Sequence, residues 1–148
     1  MAQMGIETWK DIVGFESLYQ VSNLGRIKAL PKKVYNSGLL NSNKCFISKE
    51  KILKPSTISK GYKGITLTKE GKRYPKKVHR LVAMAFIPNP YNKSQINHID
   101  CNKANNCVEN LEWCTNGENQ KHAFKHGLNS NKKANIARWK GKRKNERK

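Results

Sequence analysis

Residues 95–124 read QINHIDCNKANNCVENLEWCTNGENQKHAF, a stretch in which asparagines and histidines crowd around a few apolar side chains. Gln95–Ile99 is short and bounded by polar residues, which suits a strand. Residues 100–110 are rich in asparagine and open with Asp100, as a loop does. Leu111–Thr115 then supplies a return strand. Thr115-Asn116-Gly117-Glu118 has the spacing of a capping box, so a helix is expected to start there and to run to about Lys125. Gly127 is its natural stop. The predicted order is strand, long loop, strand, helix.

That order brings particular side chains together. Hydrolysis of a phosphodiester needs a base to deprotonate water and a cation to stabilise charge on the leaving oxygen. A histidine ordinarily titrates near pH ~6.5 and can accept a proton at neutral pH, so His98 is the candidate base. Asn97 points to the opposite face in a regular strand, and a bend at the strand end would let both serve one site. Asn119 falls in the first helical turn, near a dipole end that favours phosphate. His122 follows three positions later on the same side and is a candidate phosphate or secondary site. Amide oxygens and water suit Mg²⁺, which keeps much of its hydration. Asn110 can brace the loop through its backbone groups and so fix His98. The bland readings stand beside these. A lone histidine is more often structural, asparagine-rich loops are usually only turns, Asp100 suits a loop cap, and His79 suits a structural place before a core-facing helix.

Composition narrows the partner. Among 148 residues, 30 Lys and Arg face 10 acidic residues, a formal charge of +20. Such a chain repels itself unless a polyanion is near, so nucleic acid is expected. A membrane surface is the rival, but no apolar run approaches the ~18–20 residues a spanning helix needs. The start, MAQMGIETWKDI, lacks the layout of a secretory signal, and an intracellular, cytoplasmic protein is expected. Cys45, Cys101, Cys107 and Cys114 form no C-x-x-C pair, and free thiols, buried or half-buried, are the leading reading over a thiolate zinc site.

Upstream, residues 7–30 read as short strands, with YQVS and RIKAL forming a hairpin about the Asn23-Leu24-Gly25 turn. Residues 31–50 show no period and are expected to form a polar loop. GYKGITLTKEGKRYPKKVH, from Gly61 to His79, is a second hairpin turning at Lys69-Glu70-Gly71-Lys72. HRLVAMAF is a short helix, with Leu81, Val82, Ala85 and Phe86 on one side and Pro88 and Pro90 ending it. Residues 132–148 are dense in Lys and Arg and are expected to be a disordered tail. The fold class is therefore α+β: a small hairpin-rich N-terminal module (1–60), a strand–loop–strand–helix domain (61–127) and a basic tail (128–148).

NHIDCNKANNCVENLEWCTNGENQKHAF resembles the HNH motif of phage-type HNH homing endonucleases, members of the His-Me finger (ββα-metal) nucleases. HRLVAMAFIPNP is similar to the stretch leading into that motif, and WKDIVGFESLYQVSNLGRIKAL is similar to the modular DNA-binding element these enzymes carry. The likeness spans roughly residues 8–125. It implies an endonuclease that cuts duplex DNA with one divalent ion, Mg²⁺ or Mn²⁺, by nicking or by double-strand cleavage, leaving 5′-phosphate and 3′-hydroxyl ends. No obligate protein partner is implied. By position, His98 would be the general base, Asn110 the central asparagine holding the loop, and Asn119 a metal ligand. Asn97 takes the other ligand position, where some relatives carry aspartate, and so brings one negative charge fewer. Cys101 stands where glycine is common. Arg26, Lys28, Lys60, Lys63, Lys72, Arg73, Lys76 and Lys77 are the candidate DNA contacts. The rival reading is a non-catalytic DNA-binding protein that keeps the HNH scaffold.

Overall fold

Tyr19, Val21 and Ile27 alternate with polar neighbours, and all three are buried on one face of an antiparallel sheet in a computed structural model of the chain that describes residues 6–36 and 44–128. Its strands are β1 (Trp9–Asp11), β2 (Tyr19–Ser22), β3 (Ile27–Ala29) and β6 (Lys51–Leu53), in the order β1-β2-β3-β6. The expected hairpin is β2–β3, with Val21 opposite Ile27. Between β3 and β6 lies a correction. The segment expected to be a loop contains β4 (Lys33–Asn36) and β5 (Lys44–Ile47), paired antiparallel with Lys33 opposite Ile47. Tyr35, Phe46 and Ile47 are all exposed. None of the ribbon's described residues belongs to the core or packs against it, so no burial period marks it in the sequence. Its β-branched and aromatic residues still favour extended backbone.

A second sheet orders β7 (Ser56–Thr57), β8 (Lys63–Lys69) and β9 (Lys72–Lys77). The β8–β9 hairpin turns where expected, with Lys69 opposite Lys72, and β9 is an edge strand that tolerates Pro75. Helix α1 (Val78–Phe86) begins one residue earlier than the sequence suggested. Leu81 and Val82 are buried as expected, Val78 and Ala83 join them, and Ala85 and Phe86 pack partly buried against the core.

The core is continuous. Ile12, Phe15, Val21 and Ile27 from the first sheet meet Leu67 of β8, the buried face of α1, and Ile96 and Leu111. The last two lie on β10 (Gln95–His98) and β11 (Leu111–Cys114), paired with Ile96 opposite Trp113 and His98 opposite Leu111. Helix α2 (Asn116–Lys125) follows β11 directly and packs on β10. At its start Glu118 N donates to Thr115 Oγ1 (3.2 Å), and Thr115 N donates to Glu118 Oε2 (2.7 Å). Past its end, Gly127 takes a φ of +67°, the left-handed stop glycine permits. Among the described residues no helix is long and apolar enough to cross a membrane. The basic tail expected over 128–148 lies, Leu128 apart, outside the described residues.

Candidate active site

Beside α2 a cleft of about 290 Å³ opens, lined by Asn97, His98, Asn119 and His122, with Lys60 and Lys103 among its other walls. His98 ends β10, where the chain turns sharply and Cys101 N donates to the His98 carbonyl (2.9 Å). That break in the strand lets neighbouring residues 97 and 98 line one cavity despite their alternating faces.

The His98 ring is buried, and its Nε2 lies 3.1 Å from Asn106 Oδ1. Asn106 directs its amide nitrogen to the Ala104 carbonyl (3.2 Å), so the oxygen facing the ring can only accept. Nε2 therefore carries the proton, and Nδ1 keeps the lone pair a base needs. Asn106 is itself held by the turn between β2 and β3. Gly25, at φ +79°, sits so close that a Cβ there would lie 2.9 Å from the Asn106 Cβ, and Val108 N donates to the Asn23 carbonyl (2.8 Å). Only glycine meets both demands.

Asn110 acts as a brace. Its Oδ1 accepts from Asp100 N (2.9 Å), and its Nδ2 donates to Asp100 Oδ1 (2.8 Å) and to the Asn105 carbonyl (2.9 Å). Asp100 also accepts from Asn105 Nδ2 and Asn102 N. It caps the loop, and these bonds, that from Asn105 foremost, hold its carboxyl below the usual range.

Asn97 Nδ2 donates to Glu112 Oε1 (2.8 Å), its cross-strand partner, and Asn119 Nδ2 donates to Gln95 Oε1 (2.7 Å). Both amide nitrogens are thus engaged, which leaves each Oδ1 as the atom able to ligate. Two amide oxygens at a polar cleft suit a hard divalent ion that retains water. The donor set fits the ion expected from the sequence.

Two rings from outside the motif crowd His98. His79 of α1 meets it edge-on (centroids 5.2 Å), and Tyr62 lies 6.0 Å away. His79 is buried and its Nδ1 has no hydrogen-bond partner. Burial first, then the charges of His98, Lys77 and Arg80, push its pKa down to about 4. The unfolded chain takes up this proton near pH 6.5 and the folded one only near pH 4. Stability from His79 is therefore full above about pH 6.5 and is lost as pH falls toward 4. The displacement is worth roughly 3 kcal/mol, nearer 2 after allowance for screening. We expect denaturant midpoints to drop over that window in the wild type and to drop less in His79→Leu.

The basic residues divide. Arg26 pairs with Glu7, Lys28 Nζ lies 3.5 Å from Glu50 Oε2, and both cations sit near the Trp9 ring. Lys63 Nζ donates to Thr57 Oγ1. Lys72, Arg73, Lys76 and Lys77 are exposed along β9, and Lys77 Nζ stands 5.1 Å from the centre of the Tyr62 ring. Lys60 lines the cleft itself. Nothing in the sequence singles out Lys103. It stands 4.9 Å from the Tyr62 ring centre, beside Lys60, whose carbonyl accepts from its Nζ.

Residues 7–68 match the NUMOD4 motif, and residues 76–121 match the HNH endonuclease family. DNA endonuclease I-HmuI of Bacillus phage SP01 is 37% identical over 136 residues, covering 91% of this chain and 68% of that protein. Uncharacterized HNH endonuclease L247 of Acanthamoeba polyphaga mimivirus is 39% identical over 127 residues, 82% of this chain. The L245 protein of the same virus is 40% identical over 98 residues, 65% of this chain. The chain spans only 27% and 30% of the length of those two viral relatives. A solved structure described as "DNA binding and cleavage by the HNH homing endonuclease I-HmuI" matches with a TM-score of 0.68 at 36% identity, over 90% of this chain and 68% of that one.

Proposed function

Because the chain belongs to the HNH endonuclease family, we propose that it hydrolyses phosphodiester bonds of duplex DNA with one divalent ion, Mg²⁺ or Mn²⁺, in the cleft beside α2. The observation that carries this is the convergence of His98, Asn97 and Asn119 on one cleft with lysines in its walls. His98 Nδ1 takes a proton from the attacking water, while Asn106 holds the opposite nitrogen. Asn97 and Asn119 offer oxygens to the ion, which when bound stabilises negative charge on the leaving oxygen. Lys60 and Lys103 attract and orient the phosphate. Buried, uncharged His79 excludes water from one side of the imidazole.

Division of labour follows the sequence. Residues 1–60 serve as the DNA-binding module and 61–127 as the nuclease domain. Lys72, Arg73, Lys76 and Lys77 carry the phosphate track, with Lys63, Arg26 and Lys28 at its margins. Arg26 and Lys28 must release Glu7 and Glu50 to contribute fully.

Supercoiled plasmid and phage DNA test this reading. The purified protein should retard both in a gel and nick them when Mg²⁺ is added. Asn97→Asp should lower the Mg²⁺ needed by about tenfold. With the ion removed, its new carboxylate faces Glu112, and the variant should melt below the wild type. A protein that retards DNA yet never cuts it with any divalent ion would be the non-catalytic scaffold instead.

A further inference from the structure

Cys101, His122 and His126 take no part in the chemistry above, yet their ligating atoms converge. The cysteine sulfur and one ring nitrogen of each histidine lie within 4.8 Å of one another. Cys101 Sγ stands 3.9 Å from His122 Nδ1, and the two imidazole rings are 4.4 Å apart. The local causes are plain. The histidines are four residues apart at the end of α2, stacked one turn above the other. Cys101 is turned toward them by a left-handed backbone, φ +63°, whose N–H is tied to the His98 carbonyl.

Tetrahedral zinc, with Zn–S about 2.3 Å and Zn–N about 2.0 Å, sets neighbouring ligand atoms about 3.3–3.5 Å apart. Shifts of about an ångström close this group to that spacing, and partly exposed side chains can make them. Donor chemistry separates it from the cleft's other ligands. Thiolate and imidazole select zinc-like ions, whereas the amide oxygens of Asn97 and Asn119 suit magnesium. We propose that Cys101, His122 and His126 form a second metal site that takes Zn²⁺, with water in the fourth position. Binding releases the cysteine proton to solvent. The ion clasps the loop that carries Asn106 and Asn110 to the helix that carries Asn119. Zn²⁺ binding here needs neither DNA nor cleavage.

The test uses metal-free, reduced full-length protein in excess Mg²⁺, titrated with Co²⁺ as a spectroscopic probe and then with Zn²⁺. One equivalent of Co²⁺ should give a thiolate-to-cobalt charge-transfer band with tetrahedral d–d bands. One equivalent of Zn²⁺ should displace it and raise the melting temperature. Cys101→Ser should abolish the band, and His126→Ala, exposed at the helix end, should weaken binding on the order of 100-fold. Asn119→Ala should leave the band intact. No stoichiometric binding by the wild type, a band surviving Cys101→Ser, or a band lost in Asn119→Ala would overturn the proposal. Failure to cut DNA with the band intact would count against the nuclease reading alone.

Discussion

His98→Ala should cut DNA roughly 10²–10⁴-fold more slowly than the wild type, the usual contribution of a positioned general base. Retardation of duplex DNA in a gel should persist. The two readouts separate because the lysines proposed to meet the phosphates do not depend on the imidazole. The substitution also removes a buried ring and leaves Asn106 Oδ1 without its partner, so a lower melting temperature is expected alongside. His98→Gln, which fills more of the space and keeps a donor, should recover part of that stability without recovering cleavage. Cleavage retained in both variants would remove His98 from its role.

The second large effect is on the fold of the loop. Asn110→Ala leaves Asp100 N and the Asn105 carbonyl without the bonds that hold residues 100–110 in place. At a buried position, the loss of such a network should cost roughly 3 kcal/mol, read as a lower urea midpoint. Cleavage should fall with it, since the same loop carries Asn106. Asn110→Asp should rescue neither. It keeps the acceptor for Asp100 N but sets a second carboxylate against Asp100 Oδ1, where the amide now donates. An unchanged midpoint in Asn110→Ala would show that the loop holds its shape by other means.

The strand–loop–strand–helix unit is written locally in the sequence. The Thr115–Glu118 capping box fixes where α2 starts, and from there the position of Asn119 follows. Hairpins with one buried face were legible for the same reason, as with Val21 opposite Ile27. The β4–β5 ribbon was not, because Tyr35, Phe46 and Ile47 face solvent and leave no alternation. Within the site, Asn106 is one of several asparagines between residues 102 and 110, and nothing in the sequence tells which one turns to the imidazole. Tyr62 and His79 reach His98 from β8's approach and from α1, long before the motif begins. Gly25 approaches Asn106 from the β2–β3 turn, far upstream in the chain. Such contacts exist only once the core has closed. Likewise Cys101, His122 and His126 fit no sequence spacing for zinc, since a left-handed turn and one helical repeat bring them together.

Two carboxamide oxygens, one on β10 and one on α2, are proposed to hold the ion that His98 works beside. The Mg²⁺ dependence of plasmid nicking by wild type and Asn119→Ala, measured side by side after chelation, tests it most directly. The wild type should be silent in chelator and recover on adding Mg²⁺. Asn119→Ala should need on the order of tenfold more Mg²⁺, or fail at any concentration. Nicking in chelator, or the same Mg²⁺ dependence in both proteins, would contradict the account.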